Sequence, residues 1–112
     1  MRIAIATNER GSLEDGVALH FGRANNFLIF DTETKSFEVF ENPEILGKEL
    51  PPDFLNRLGI DAVIAFSLGP MAFEKFKNCK IKVLKATEST ILENLEKFEK
   101  GELKELGKED IF

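Results

Sequence analysis

Arg2-Ile3-Ala4-Ile5-Ala6-Thr7 is predicted to be a strand because Ile3–Ala6 is a continuous apolar run, and the expected fold is built outward from it. Two further runs of the same kind are Phe27–Asp31 and Asp61–Phe66. Strands without polar alternation are typical of the middle of a sheet that helices cover on both faces. We therefore predict an α/β protein in which these three strands form the centre of one sheet.

Two amphipathic segments complete the predicted sheet at its edges. The first, Ser36–Glu41, follows the polar turn Thr32–Lys35 and so forms a hairpin with the strand before it. The second, Lys80–Leu84, alternates lysines with the inward-facing Ile81 and Val83. Both segments have one polar face, which favours edge positions over central ones.

Three helices are predicted between and after these strands. Pro52 begins the first, Gly69-Pro70 the second and Thr90 the third, where Glu93 completes a capping box. Right-handed crossovers through helices make the first, fourth and fifth strands parallel, and the hairpin makes the second antiparallel. The predicted fold therefore has three layers, with a mixed sheet of order 3-2-1-4-5 between the helices.

The composition is that of a single domain over residues 1–112, with 43% hydrophobic and 31% charged residues. One cysteine excludes an internal disulfide framework and favours a cytoplasmic protein. The net charge of −5 argues against nucleic acid as a partner, and no apolar run is long enough for a membrane span. We expect a monomer or a weak homodimer, with a tail that is frayed from about residue 103.

Three loops meet where the parallel strands end, which is where open α/β sheets bind ligands. They supply the candidate binding residues, and two of the loops lead into helix N-termini that favour anions. The candidates are Asn8, His20, Gly22, Arg23, Ser67, Gly69 and Thr87.

His20 is the candidate metal ligand because it is the only histidine and imidazole binds transition metals well. The alternative is a structural histidine that fixes the loop by hydrogen bonds. Arg23 is an anion ligand in one interpretation and a surface partner of Glu14 or Asp15 in the other. Asn8–Gly16 is expected to be the least ordered internal segment, closing over a bulky ligand.

Other chemistry is not indicated by the motifs. One histidine and one cysteine cannot supply the four ligands of a structural zinc site. The chain has no phosphate-binding P-loop and no Ser-His-Asp pattern. Because His20 lies in a loop aimed at two helix N-termini, a non-catalytic binding function is predicted instead.

Several short motifs follow one another in an order and spacing that resemble a known family over Met1 to about Leu103. The chain resembles the dinitrogenase iron–molybdenum cofactor biosynthesis family, the small NifX/NafY-like proteins. It departs from the usual pattern by a short segment, Glu44–Glu49, without extra His or Cys, and by Phe66-Ser67 where Gly-Gly is common. The motifs are His20–Ala24, Phe27–Asp31, Glu41–Pro43, Gly59–Ala65, Leu68–Pro70 and Lys100–Leu103.

The resemblance implies a ribonuclease H-like fold. It also implies binding of iron–molybdenum cofactor or an iron–sulfur precursor cluster, with His20 as the implicated ligand, and a protein that donates or accepts the cluster. Two other functions stay open. One is an interaction module, since Phe37 and Phe40 lie on opposite faces of an edge strand. The other is a ribonuclease H-like nuclease using Asp31 and Asp61, which is disfavoured because the first strand has no acidic residue.

Overall fold

The central sheet has five strands in the computed structural model, which describes residues 1–112. They are β1 (Arg2–Thr7), β2 (Asn26–Asp31), β3 (Phe37–Glu41), β4 (Ala62–Ala65) and β5 (Lys82–Lys85), in the order β3-β2-β1-β4-β5. β1 pairs with β2 antiparallel and with β4 parallel, and β4 pairs with β5 parallel. The predicted sheet order and the antiparallel second strand are confirmed.

The helices are α1 (Pro51–Arg57), α2 (Pro70–Asn78) and α3 (Ile91–Glu99). Gly69 precedes α2 with extended backbone, and Pro70 at the first helical position has no N–H to leave unpaired. Thr90 and Glu93 form the predicted capping box at the start of α3. No helix in the protein combines the length and the hydropathy that crossing a membrane requires.

The alternation of side chains along β1 divides the interior into two cores. Ala4 and Ala6 face the side covered by α1 and α2, whereas Ile3 and Ile5 face the side covered by α3. The small alanines leave space for aromatic rings, which form a cluster on their side of the sheet. The ring of Phe21 lies 5.0 Å from that of Phe27 and 5.9 Å from that of Phe76, measured between centroids.

The C-terminal segment differs from the expectation of a frayed tail. The Lys85 N–H donates to the Lys104 carbonyl at 2.8 Å, and the Leu106 N–H donates to the Val83 carbonyl at 3.0 Å. Leu106 is buried in the core beside α2. The free edge of β5 offers backbone groups that need partners, so the charged tail is ordered by the sheet edge, not by its own side chains.

The aromatic cluster makes α2 sensitive to truncation at Phe76. Phe76 is fully buried, so Phe76→Ala is expected to lower the free energy of unfolding by about 3–5 kcal/mol, since the cavity adds to the lost transfer energy. Phe37→Ala is the matched control because that ring is 39% exposed, and a loss of about 1 kcal/mol or less is expected. Urea denaturation measures both, and equal losses would contradict this assignment of the core.

Candidate functional site

An open groove of about 460 Å³ lies at the carboxyl end of the parallel strands. It is bounded by the turn His20–Arg23, by Pro51 and Pro52 at the start of α1, and by the first turn of α2. We call it the His20 groove. Its volume falls in the range of about 300–1,000 Å³ that is common for small-molecule and cofactor sites.

Five of the seven predicted binding residues line this groove. They are His20, Gly22, Arg23, Ser67 and Gly69. The structure therefore brings together the loops that follow β1 and β4, as the rule for open α/β sheets predicts.

The other two predicted residues, Asn8 and Thr87, lie outside the groove. The Asn8 carbonyl accepts a hydrogen bond from the Asn25 side-chain amide at 2.9 Å, which ties the two ends of the first loop together. The Thr87 N–H donates to Asn94 Oδ1 at 3.0 Å. Thr87 belongs to the loop that leads into α3, and α3 covers the opposite face of the sheet from α2. The third loop is therefore separated from the site by the sheet itself.

A buried ring anchors the turn that carries His20. Phe21 is 2% exposed and packs into the aromatic cluster, whereas His20 and Arg23 on either side of it are exposed. The Ala18 N–H donates to the Ala6 carbonyl at 2.8 Å, which holds the approach to the turn against β1. The turn is thus fixed by its apolar member, and its two polar members face the groove.

Asn42 holds the same turn from the other side. It is fully buried, and its Nδ2 donates to the carbonyls of Gly22 at 3.0 Å and Ala24 at 2.8 Å. Its Oδ1 accepts from the N–H of Glu44 at 3.0 Å, so one amide joins the His20 turn to the loop that carries Glu44 into the groove. The sequence analysis named Asn42 only within the motif Glu41–Pro43. An Asn-Pro pair directly after a strand was the available signal.

The charges around the groove are unevenly paired. Lys75 Nζ lies 3.1 Å from Asp53 Oδ2, while Arg23 has no carboxylate within 4.0 Å. The surface pair of Arg23 with Glu14 or Asp15 is therefore not formed. No group of three or more His, Cys, Asp or Glu side chains is placed to hold a metal ion. The groove offers one imidazole, one free guanidinium and the unpaired Glu44 carboxylate, so a ligand there must bring most of its own coordination.

Several large apolar side chains around the groove are exposed to solvent. Leu50, Met71 and Phe112 line it and are 38%, 69% and 78% exposed, and Leu19 next to His20 is 66% exposed. The sequence analysis missed Met71, Lys75 and Phe112, because only the packing of α1, α2 and the tail brings them to the site.

The segment 8–16 is held by a carboxylate, contrary to the expectation of a mobile loop. Asp15 is 8% exposed, and its Oδ2 accepts from the N–H groups of Gly11 at 2.7 Å and Ser12 at 2.9 Å. Leu92 at the start of α3 donates its N–H to the Leu13 carbonyl at 2.8 Å. These contacts fix the loop on the α3 side of the sheet, away from the groove, so it does not serve as a lid.

The fold and the groove define a small three-layer α/β protein with a ligand-sized site at its strand ends. Residues 1–101 match the model of the dinitrogenase iron-molybdenum cofactor family, and the chain belongs to this family.

Relatives and solved structures agree with this assignment. An uncharacterized protein of Methanocaldococcus jannaschii is 32% identical over 91 residues, which cover 75% of this chain and 77% of the relative. A Thermotoga protein described as a putative NifB protein of the DUF35 family is 32% identical. Its structure has a TM-score of 0.79, and the match covers 94% of this chain and 92% of that one. The apo form of the orange protein from Desulfovibrio gigas has a TM-score of 0.84 at 24% identity, covering 95% and 92% of the two chains, and shows the fold alone.

Replacing Asn42 tests its hold on the His20 turn. Asn42→Asp removes the donor and places a carboxylate against two carbonyls, so a loss of about 1–3 kcal/mol in unfolding free energy is expected. The NMR signals of the His20 ring should shift at the same time. Asn94→Asp is the matched control, because Asn94 is equally buried and its Nδ2 donates to the carbonyls of Glu88 and Thr90. Asn94→Asp should destabilise the protein but leave the His20 signals in place. If the His20 signals do not shift in Asn42→Asp, Asn42 does not hold the His20 turn.

Asp15 predicts a pH dependence of stability. Desolvation raises the pKa of this carboxyl, but hydrogen bonds from Ser12 and Gly11 outweigh it, and the pKa lies below its ordinary value. A lowered folded pKa contributes stability that is present above the unfolded value of about 3.9 and is lost as the pH falls through the folded pKa.

Asp15→Asn should therefore lower the unfolding free energy by about 1 kcal/mol or more at pH 7, with the difference from wild type shrinking below about pH 4. Denaturation series at several pH values measure it, with Glu14→Gln as the exposed neighbouring control. A difference that stays constant down to pH 2 would rule out the charged form of Asp15 as the source.

Proposed function

We propose that this protein is a non-catalytic carrier that holds an anionic metal–sulfur cluster, of the iron–molybdenum or iron–sulfur type, in the His20 groove. The observation that carries the proposal is the pairing of an exposed imidazole with an unpaired guanidinium on one turn of a ligand-sized groove. Membership in the dinitrogenase iron-molybdenum cofactor family supports the class of cargo.

The donor set fits a preassembled cluster better than a bare ion. A cluster carries its own bridging sulfides, so it needs few protein ligands, and one imidazole can occupy an open metal position. A bare zinc or iron site would need a group of protein ligands, and the groove has none.

The surroundings of His20 favour negative charge on the cargo. The Arg23 guanidinium has five N–H donors and no carboxylate to neutralise it. The first turn of α2 begins at Pro70 beside the groove, and the N–H groups of a first turn have no partners inside the helix. Both features would attract an anion, although the Glu44 carboxylate also lines the groove and the protein as a whole carries a net charge of −5.

The polar groups near the groove lack the arrangement of a catalytic site. The Ser67 hydroxyl donates to the Leu19 carbonyl at 2.9 Å, so its proton is engaged in a hydrogen bond to the backbone. Cys79 follows the last residue of α2, a helix length away from Gly69. A carrier needs neither a nucleophile nor a base, so the proposal does not depend on a catalytic role for Ser67 or Cys79.

A carrier function also requires a protein that donates or accepts the cluster. We propose that this partner and the carrier act together in the cytoplasm.

The nuclease alternative gains no support from its two aspartates. Asp31 pairs with Arg2 in the register of β1 and β2, and the Asp61 carboxylate accepts from the Arg2 N–H at 2.8 Å. Both therefore lie at the opposite end of β1 from the groove, with a cation between them. Two-metal nucleases need carboxylates that converge on the same ions.

Self-association through β3 is the second candidate function. Phe37 and Val39 are 39% and 37% exposed on this edge strand, whereas Phe40 packs on Phe54 with ring centroids 5.8 Å apart. Sedimentation over a range of concentrations addresses it. If the sedimentation mass stays monomeric at every concentration, and Val39→Lys sediments like wild type, the β3 edge is not a contact between copies of the protein.

Anaerobic titration with isolated iron–molybdenum cofactor, and separately with a preassembled iron–sulfur cluster, tests the carrier function. His20→Ala should lower the affinity at least about tenfold, because it removes the only imidazole. Arg23→Ala should weaken binding less and reduce its salt dependence.

Two control variants separate site effects from general ones. Arg10→Ala removes an exposed arginine outside the groove, and Cys79→Ser removes the only thiol; both should bind like wild type. Equal binding by wild type and His20→Ala, or no binding by either, would mean that the groove is not a cluster site.

A further inference from the structure

The segment Glu102–Phe112, which we call the strap, reaches the His20 groove from the far edge of the sheet. It lies beyond residues 1–101 that match the family model, and its last residue nevertheless lines the groove. The contacts of the strap divide it into a first half on β5 and a second half beside the groove, where Ile111 forms a bridge with Leu68.

The first half is fixed on β5. Leu84 and Glu105 form an antiparallel bridge, and Leu106 is 6% exposed in the core beside α2. Because Leu106 is buried, the hydrogen bond from its N–H to the Val83 carbonyl is shielded from water. Leu106 therefore anchors the first half of the strap to the core, and we expect any displacement in the residues after it.

The second half depends on an ion pair. Asp110 Oδ1 lies 2.6 Å from Lys85 Nζ, and Asp110 Oδ2 accepts from the Gly107 N–H at 3.3 Å. The hydrogen bond and charge of Lys85 keep the pKa of the Asp110 carboxyl below its ordinary value, so the pair is charged at neutral pH. One carboxylate therefore closes the turn and attaches it to β5.

The end of the strap rests on the start of the groove. The Leu68 N–H donates to the Asp110 carbonyl at 3.1 Å, and the Phe112 N–H donates to the Leu68 carbonyl at 2.9 Å. The Phe112 carbonyl lies within van der Waals distance of the position that a Cβ on Gly69 would take, at 3.8 Å. The Phe112 side chain itself is 78% exposed and contributes to the groove wall. Two backbone hydrogen bonds, one ion pair and the packing of Ile111 on the core thus hold a large aromatic side chain at the edge of the site.

We propose that the strap is a gate at one wall of the His20 groove, held against Leu68 by the Lys85–Asp110 ion pair, and that its displacement widens the groove for entry and exit of the bound molecule. The role in cargo release rests on the proposed carrier function. The gating of the groove does not, because it concerns access for any bulky molecule.

Thiol labelling measures access without any cargo. Ala72 is half-buried in the groove wall, so Ala72→Cys in a Cys79→Ser background reports on it through its reaction rate with a bulky maleimide. Asp110→Asn should raise that rate at least about fivefold, and Glu109→Gln, which removes the neighbouring exposed carboxylate, should not change it. The double variant Lys85→Glu/Asp110→Lys reverses the pair and should restore the slow rate.

Release of isolated iron–molybdenum cofactor supplies the second readout. Asp110→Asn and Phe112→Ala should both speed release, whereas Leu92→Ala, an exposed apolar truncation on α3, should not. Equal labelling in Asp110→Asn and wild type overturns the gate. Faster labelling without faster release overturns its part in holding cargo. If wild type binds no cluster, the carrier function fails, and the labelling rates still decide on the gate.

Discussion

Burial of β1 on both faces is the constraint on which the rest of the structure depends. A strand with Ile3 and Ile5 on one face and Ala4 and Ala6 on the other needs a cover on each side, and it cannot lie at a sheet edge. The difference in size between the two faces then decides what covers them. Rings fill the alanine side and one amphipathic helix covers the isoleucine side.

The position of the groove follows from the same difference between the alanine and isoleucine faces of β1. Phe21 needs the space above the alanines, so the turn that contains it folds onto the side of α1 and α2. His20 and Arg23 are carried to the start of α2 by that burial, and they remain exposed because the ring between them is the anchor. The candidate site is in this sense a consequence of aromatic packing, with the polar groups placed by an apolar neighbour.

Two buried asparagines hold loops at the carboxyl end of the sheet through hydrogen bonds to the loop backbone. Asn42 and Asn94 are both 0% exposed, and each satisfies backbone groups of a loop at the carboxyl end of the sheet. A buried amide without partners would cost free energy, so each asparagine also specifies the loop shape that satisfies it. Only the Asn42 loop contacts the groove, which leaves the Asn94 loop with a structural role.

The sequence by itself determined the sheet order and the helix starts, because continuous apolar strands and proline and capping signals are local features. It also singled out His20 as a candidate ligand, because that imidazole is unique in the chain. The groove walls depended on tertiary structure. Thr87 was expected in the site and lies across the sheet from it, since strand order does not reveal which face a following helix covers. The strap and Asp15 were misjudged for a related reason: a charged tail and a glycine-containing loop become ordered only when a sheet edge or a single carboxylate satisfies backbone groups that are remote in sequence.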